Sequence, residues 1–302
     1  MLKMSDYTKN GLLILMVSLI ISIISSIIIA LLINNLISSF ATENFTSEEI
    51  ISNIIVIVPA SIVTIIAGIL FLVAGILILL GRKEFGEKHH KFIKYAIYIF
   101  IIYIVVIITF GVTSQIISYT SNNPYSFFQT KDSTSVLNSF NNVLVINSTS
   151  NIIGAIIGGL IAVFGLYQLE NRKGKNFLFL GYGSSITFSV INSLYLFIFF
   201  DDIISSDIFQ QLIGSESTSS AYFSSFINLF QGIGDLLIIG IIGTTFTNIF
   251  YIIAIYIPYK RIKTGELKPA LPIHLKRCNN CGKATPADSI VCAYCGNRFN
   301  GF

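Results

Sequence analysis

Six long runs of apolar residues, separated by polar segments, make up most of this 302-residue chain. Each run is longer than the roughly 18 residues that mark a membrane-spanning helix. The pattern therefore predicts an all-α transmembrane bundle. Proline predicts that the second helix breaks or bends near Pro59 and that the sixth ends before Pro258. The predicted helices are Gly11–Ile33, Ile50–Leu80, Tyr95–Ile117, Val143–Leu169, Phe177–Phe200 and Phe223–Ile257.

Composition supports a membrane protein. Hydrophobic residues make up 53% of the chain and charged residues 11%, and the mean hydropathy is +0.77. A soluble globular domain carries about 25% charged residues, so the composition excludes that class. The first apolar run is too long for the core of a signal peptide, and no A-x-A cleavage site follows it. We therefore expect it to stay in the protein as a helix.

The distribution of basic residues predicts the orientation. If both termini lie on the same side, that side holds 18 of the 19 Lys and Arg, and the opposite loops hold only Lys131. The positive-inside rule then places both termini in the cytoplasm of a multi-pass cell-membrane protein. We expect anionic lipid headgroups to contact these basic loops. We interpret His89 and His90, between Lys88 and Lys91, as part of this lipid-facing cluster and not as metal ligands.

All four cysteines lie near the C-terminus, in two C-x-x-C-G motifs. Four thiolates at this spacing can close a tetrahedral shell around one structural Zn²⁺, and the glycines suit the tight turns. Two disulfides or two redox pairs are the alternative. Free thiolates are expected in a reducing compartment, which independently favours the cytoplasm. The proposed ligands are Cys278, Cys281, Cys292 and Cys295.

We therefore divide the chain into a six-helix transmembrane domain (1–258), a basic linker (259–276) and a small C-terminal zinc ribbon (277–302). The ribbon resembles the short zinc-ribbon modules that end many prokaryotic, especially archaeal, proteins. The whole arrangement resembles uncharacterised families of archaeal polytopic membrane proteins. This resemblance implies location and architecture, with the ribbon as a module that binds a cytoplasmic protein. Nucleic acid is the less favoured partner, because no interleaved aromatic surface is evident.

A polar site inside the membrane is the second hypothesis. Asp235 is the one charged residue well inside a predicted span, and a carboxylate there is costly unless it faces the bundle or water. Asn228 and Gln231 share its helix face. Together with polar residues of helices 4 and 5, this helix face would line a polar vestibule that takes an ion, a proton or a small solute. This hypothesis predicts a transporter or channel. The contributing residues on those helices are Asn147, Asn151 and Asn192.

A third hypothesis rests on two short motifs. Gly232-Ile-Gly234-Asp235 matches the G-x-G-D motif of the presenilin-like and prepilin-peptidase-like intramembrane aspartyl proteases. Pro269-Ala-Leu-Pro272 resembles the P-A-L motif of the presenilins. Those families use two membrane-embedded aspartates. Here Asp201 and Asp202 lie at a helix end and lack the preceding tyrosine of the family. Our leading hypothesis is therefore a membrane protein without enzymatic activity, whose ribbon binds a partner.

Overall fold

Six α-helices and two short strands make up the part of the chain that the structure describes. The computed structural model describes residues 7–41, 47–121, 133–205, 219–268, 275–286 and 289–299. All six helices contain a segment long and apolar enough to cross a membrane, which confirms the predicted number of spans. The elements are α1 Tyr7–Ala41, α2 Ser47–Leu80, α3 Glu87–Ser121, α4 Ser133–Leu166, α5 Arg172–Ser205, α6 Ser219–Lys263, β1 Leu275–Arg277 and β2 Ala284–Pro286.

The predicted helix end before Pro258 is wrong, and the second helix does not break at Pro59. Helix α2 continues through Pro59, and α6 continues through Pro258 to Lys263 instead of ending at Ile257. A proline removes one backbone hydrogen bond, but the remaining bonds are strong where water is absent. Pro258 is also fully buried, as are Ala254 and Ile255 one turn earlier, so tertiary packing stabilises the helix at this point. The division into three domains stays a prediction.

The helices pack in an open row. Helices that follow each other in the chain pair as α1–α2, α3–α4 and α5–α6, and the pairs are joined by α1–α6 and α4–α5 contacts. The spatial order is therefore α2, α1, α6, α5, α4, α3. Within the described residues, α2 and α3 share no extensive contact, although only a short 3₁₀ turn, Gly81–Lys83, and a few further residues connect them.

One apolar cluster holds all six helices together at a single end of the bundle. We call this end, formed by the start of α1, the α2–α3 turn, the α4–α5 turn and the end of α6, the basic end. Every helix contributes a buried residue to the cluster there. The buried members are Leu12, Met16, Ile78, Ile93, Leu166, Leu169, Leu178, Ala254 and Ile255.

Glycines let aromatic side chains of the neighbouring helix approach closely. The ring of Tyr182 in α5 occupies the space that a Cβ at Gly159 in α4 would need. In the next interface, a Cβ at Gly243 of α6 would lie 2.6 Å from the Cβ of Phe188 in α5, closer than real Cβ contacts allow. Small residues serve this purpose widely in membrane helices, where association depends on close packing.

The glycine notch at the α4–α5 interface gives a stability prediction. Gly159→Ala should destabilise the protein by about 1–3 kcal/mol, because the methyl group overlaps the ring of Tyr182. Gly158→Ala is the matched control, since no atom lies within 4 Å of the added methyl group. Alanine there should be neutral or stabilising by up to about 1 kcal/mol. Thermal unfolding in detergent measures both variants, and equal midpoints would contradict the packing described.

Candidate metal centre

The four cysteine sulfurs form a compact cluster. All four lie within 4.8 Å of one another, with Cys278 Sγ 3.5 Å from Cys295 Sγ and Cys281 Sγ 3.6 Å from Cys292 Sγ. A tetrahedral site with Zn–S bonds of ~2.3 Å places its sulfurs about 3.8 Å apart. A disulfide needs ~2.05 Å, and all four cysteines are free. The arrangement fits four ligands of one metal ion and not two disulfides.

Two equivalent turns of the backbone place these sulfurs. In the first turn, Gly282 N–H donates to Cys278 O at 2.8 Å, and Cys278 N–H donates to the carbonyl of Lys283 at 2.9 Å. Both glycines after the second cysteines have φ of 70°, a conformation that L side chains rarely adopt. The second turn repeats the two bonds at 3.0 and 2.9 Å with Cys292, Gly296 and Asn297.

Backbone N–H groups favour the thiolate form of two of the ligands. The N–H groups of Cys281 and Asn280 lower the pKa of Cys278 to about 6. Burial raises the pKa of Cys292, but the N–H groups of Tyr294 and Cys295 outweigh this effect and lower it overall. Several thiolates this close repel one another, so a divalent cation at the centre would be strongly favourable. The donor set is suited to a metal that prefers sulfur.

Little other structure supports the cluster. Strands β1 and β2 pair antiparallel, with Lys276 opposite Thr285, and Val291 forms a single bridge with Arg298. Thr285 is the fully buried side chain of these strands, and its hydroxyl donates to Lys276 O at 3.4 Å. A segment this small cannot bury enough apolar surface to fold unaided, since below ~40 residues a metal or disulfides are usually needed.

The ribbon leaves its larger apolar side chains exposed. Ile290 is 63% exposed, Tyr294 61% and Val291 42%. Two lysines lie over aromatic rings at the margin of this surface, with Lys283 Nζ 4.6 Å from the ring centre of Tyr294 and Lys276 Nζ 4.0 Å from that of Phe299. The exposed groups of the ribbon therefore include aliphatic, aromatic and cationic side chains.

The predicted polar site inside the membrane lies largely outside the described residues. This applies to the side chains of Asn228, Gln231 and Asp235, although their backbone belongs to α6. Asn147 and Asn151 are exposed on α4. On α5, Asn192 is half-buried, and its Oδ1 has no hydrogen-bond partner among the described residues. The transporter and protease hypotheses stay predictions.

One residue of the predicted lipid-facing cluster is buried. His89 is only 1% exposed and packs edge-to-face on Phe85, with 5.8 Å between ring centres. The expectation that His89 faces lipid headgroups is therefore wrong. The sequence places it among Lys88 and Lys91, but the helical turn of α3 points His89 at the bundle, one turn before the buried Ile93.

Sequence reasoning missed the carboxylates of the basic end. Glu84 is buried in the α2–α3 turn, and its Oε2 accepts a hydrogen bond from Thr8 N–H at 3.2 Å. The Thr8 hydroxyl donates to Gly81 O at 3.4 Å. These bonds fix the start of α1 against the turn. The presence of acidic residues inside the basic segments was the available signal.

The α4–α5 turn has a similar carboxylate. Glu170 is 6% exposed and lies against the backbone of Gly174, where a Cβ would overlap it. Neither carboxylate oxygen has a hydrogen-bond partner among the described residues. Burial raises its pKa to about 8, although the positive charges of Arg261 and Lys175 oppose this shift. Arg261 itself donates to Leu169 O at 2.8 Å and to Glu266 Oε1 at 2.7 Å, which joins α6 to this turn.

Comparisons with known proteins found no similarity. No protein-family model, no curated protein and no solved structure matches this chain. The functional argument therefore rests on the sequence and the geometry above.

The raised pKa of Glu170 predicts a pH-dependent stability. Below pH 4.5 the carboxyl is protonated in both folded and unfolded chains. Between about pH 4.5 and pH 8 it ionises in the unfolded chain first, so stability is lost as the pH rises. Glu170→Gln should remove this loss and melt at a higher temperature than the wild type at pH 8. The exposed Glu266→Gln is the control, and an equal pH slope in both variants would contradict the assignment.

Proposed function

We propose that this chain is a multi-pass protein of the cell membrane that presents a four-cysteine zinc ribbon on the cytoplasmic side as a small interaction module. The observation that carries the proposal is the cluster of four free cysteine sulfurs within 4.8 Å of one another. The chain holds no other cysteine. Small zinc sites of this kind are mainly structural, because all four positions around the metal are occupied by protein ligands.

Zinc is the simplest assignment for a metal ion bound by these four thiolates. Four thiolates in tetrahedral geometry suit Zn²⁺ or iron, whereas magnesium and calcium prefer oxygen ligands. A structural role needs no redox change, and Zn²⁺ has none. A bound Zn²⁺ ion would supply free energy of folding that the small ribbon cannot obtain from a hydrophobic core. Comparable sites contribute about 10–16 kcal/mol.

The packing of the basic end supports the cytoplasmic orientation. Thr8, near the N-terminus, contacts the α2–α3 turn, and Arg261, near the end of α6, contacts the α4–α5 turn. The start of α1, both basic turns and the point where the linker leaves α6 thus lie at one end of the bundle. With 18 of the 19 Lys and Arg in these segments and the C-terminal tail, the positive-inside rule favours the cytoplasm for this end.

The metal proposal predicts one zinc ion per chain in purified protein. Cys292→Ser should lose the zinc and make the tail sensitive to protease, while the six helices stay inserted because lipid and helix packing hold them. Ser289→Ala is the matched control and should keep the zinc. Elemental analysis gives the count for each variant. Iron in place of zinc, or zinc retained by Cys292→Ser, would refute the proposed site.

The orientation predicts a labelling pattern in a cysteine-free background. Single cysteines at Ser133 and Ser217 should react with an impermeant maleimide added to intact cells. Cysteines at Lys88 and Lys173 should react only after the membrane is opened. Labelling at Lys88 in intact cells would overturn the proposed topology.

A further inference from the structure

The exposed apolar surface of the ribbon is bordered by positive charge. Lys276 and Lys283 lie over the rings of Phe299 and Tyr294. Phe299 N–H also donates to Ile290 O at 3.0 Å, which connects the two parts of the surface. Ile290 and Phe299 are therefore neighbours on one face, whereas Val291 pairs with Arg298 on the other. We call Ile290, Phe299 and Tyr294, with these two lysines, the docking face.

Charge along the tail has one predominant sign. The ribbon and the last linker residue carry Lys276, Arg277, Lys283 and Arg298 against a single acidic residue, Asp288. A zinc ion with four thiolates has a net charge of −2, but two of its four sulfurs belong to buried cysteines. The linker adds further basic residues. A surface of negative charge therefore complements the docking face.

The linker between α6 and the ribbon keeps the ribbon close to the membrane. Leu267 packs against the cluster at the basic end, and its N–H donates to Arg261 O at 3.0 Å. The chain is therefore held against the bundle as far as Leu267. The seven residue steps from Lys268 to Leu275 span at most about 25 Å. A surface within this reach is present at high effective concentration.

The inference rests on the interaction module proposed above and names the partner of that module. We infer that the docking face binds the anionic headgroup surface of the bilayer in which this chain is embedded. Ile290 and Phe299 enter the interfacial region, where Tyr294 also lies, as tyrosine does in interfacial belts. Lys276 and Lys283 contact the headgroups, and each adds about a fivefold preference for the docked state.

A soluble protein partner fits the surface less well. A standard protein interface engages about 20–30 residues on each side, which is the size of the whole ribbon. The docking face has three apolar side chains, of which Ile290 and Tyr294 are exposed. A tethered module needs no such area on a lipid surface, because the bundle already holds it there.

The chain contains no tryptophan, which provides a direct test. We would place full-length Tyr294→Trp in nanodiscs of anionic or zwitterionic lipid. In anionic discs the indole emission should shift to shorter wavelength, and lipids brominated near the headgroup should quench it. High salt should reverse both effects, since the screening length falls from about 10 Å at 0.1 M to 3 Å at 1 M. Lys283→Gln in this background should lower the docked-to-free ratio about fivefold.

Asn279→Trp, at an exposed position outside the docking face, is the matched control and should stay unquenched. Trypsin cleavage of the wild-type ribbon, which should be slower in anionic discs, tests the same inference without a substitution. Equal emission and equal cleavage in both lipids, with one zinc per chain present, would overturn the inference and leave the docking face to a soluble protein. Absence of zinc from the same wild-type samples would instead refute the proposed function.

Discussion

The apolar cluster at the basic end is the constraint on which the rest of the structure depends. Helices in lipid gain little from the hydrophobic effect, so their association depends on close packing and on a few polar contacts. Here one buried residue or more from every helix meets at one end. That packing buries Glu84 and Glu170 in turns whose sequence is basic, and His89 near the start of α3. It also fixes where the linker leaves the bundle, through Arg261 and Leu267.

The ribbon follows a different principle. Its fold depends on two turns that aim sulfurs at one point, and its apolar side chains remain at the surface. In the proposed zinc ribbon, metal ligation replaces a hydrophobic core, and Ile290 and Tyr294 stay exposed. The bundle supplies what the ribbon lacks, namely a fixed position next to the membrane. In the proposed function, the ribbon binds the partner and the bundle holds the ribbon at the membrane.

The sequence predicted the coarse features, because each has a strong physical signal. Runs of apolar residues indicate spans, and the paired C-x-x-C-G motifs indicate four clustered sulfurs. The helix end at Pro258 was wrong, because local propensity does not account for burial in a packed core. The burial of His89 and Glu170 could not be predicted, because it depends on which helices are neighbours, and the order α2, α1, α6, α5, α4, α3 has no sequence signal.

The central claim is that a zinc ribbon lies at the basic end on the cytoplasmic side. The most direct test is zinc release by an impermeant chelator from sealed membrane vesicles of both orientations. The account predicts that the chelator removes one zinc ion per chain from inside-out vesicles and none from right-side-out vesicles. Release from right-side-out vesicles, or protein without zinc in either preparation, would contradict it.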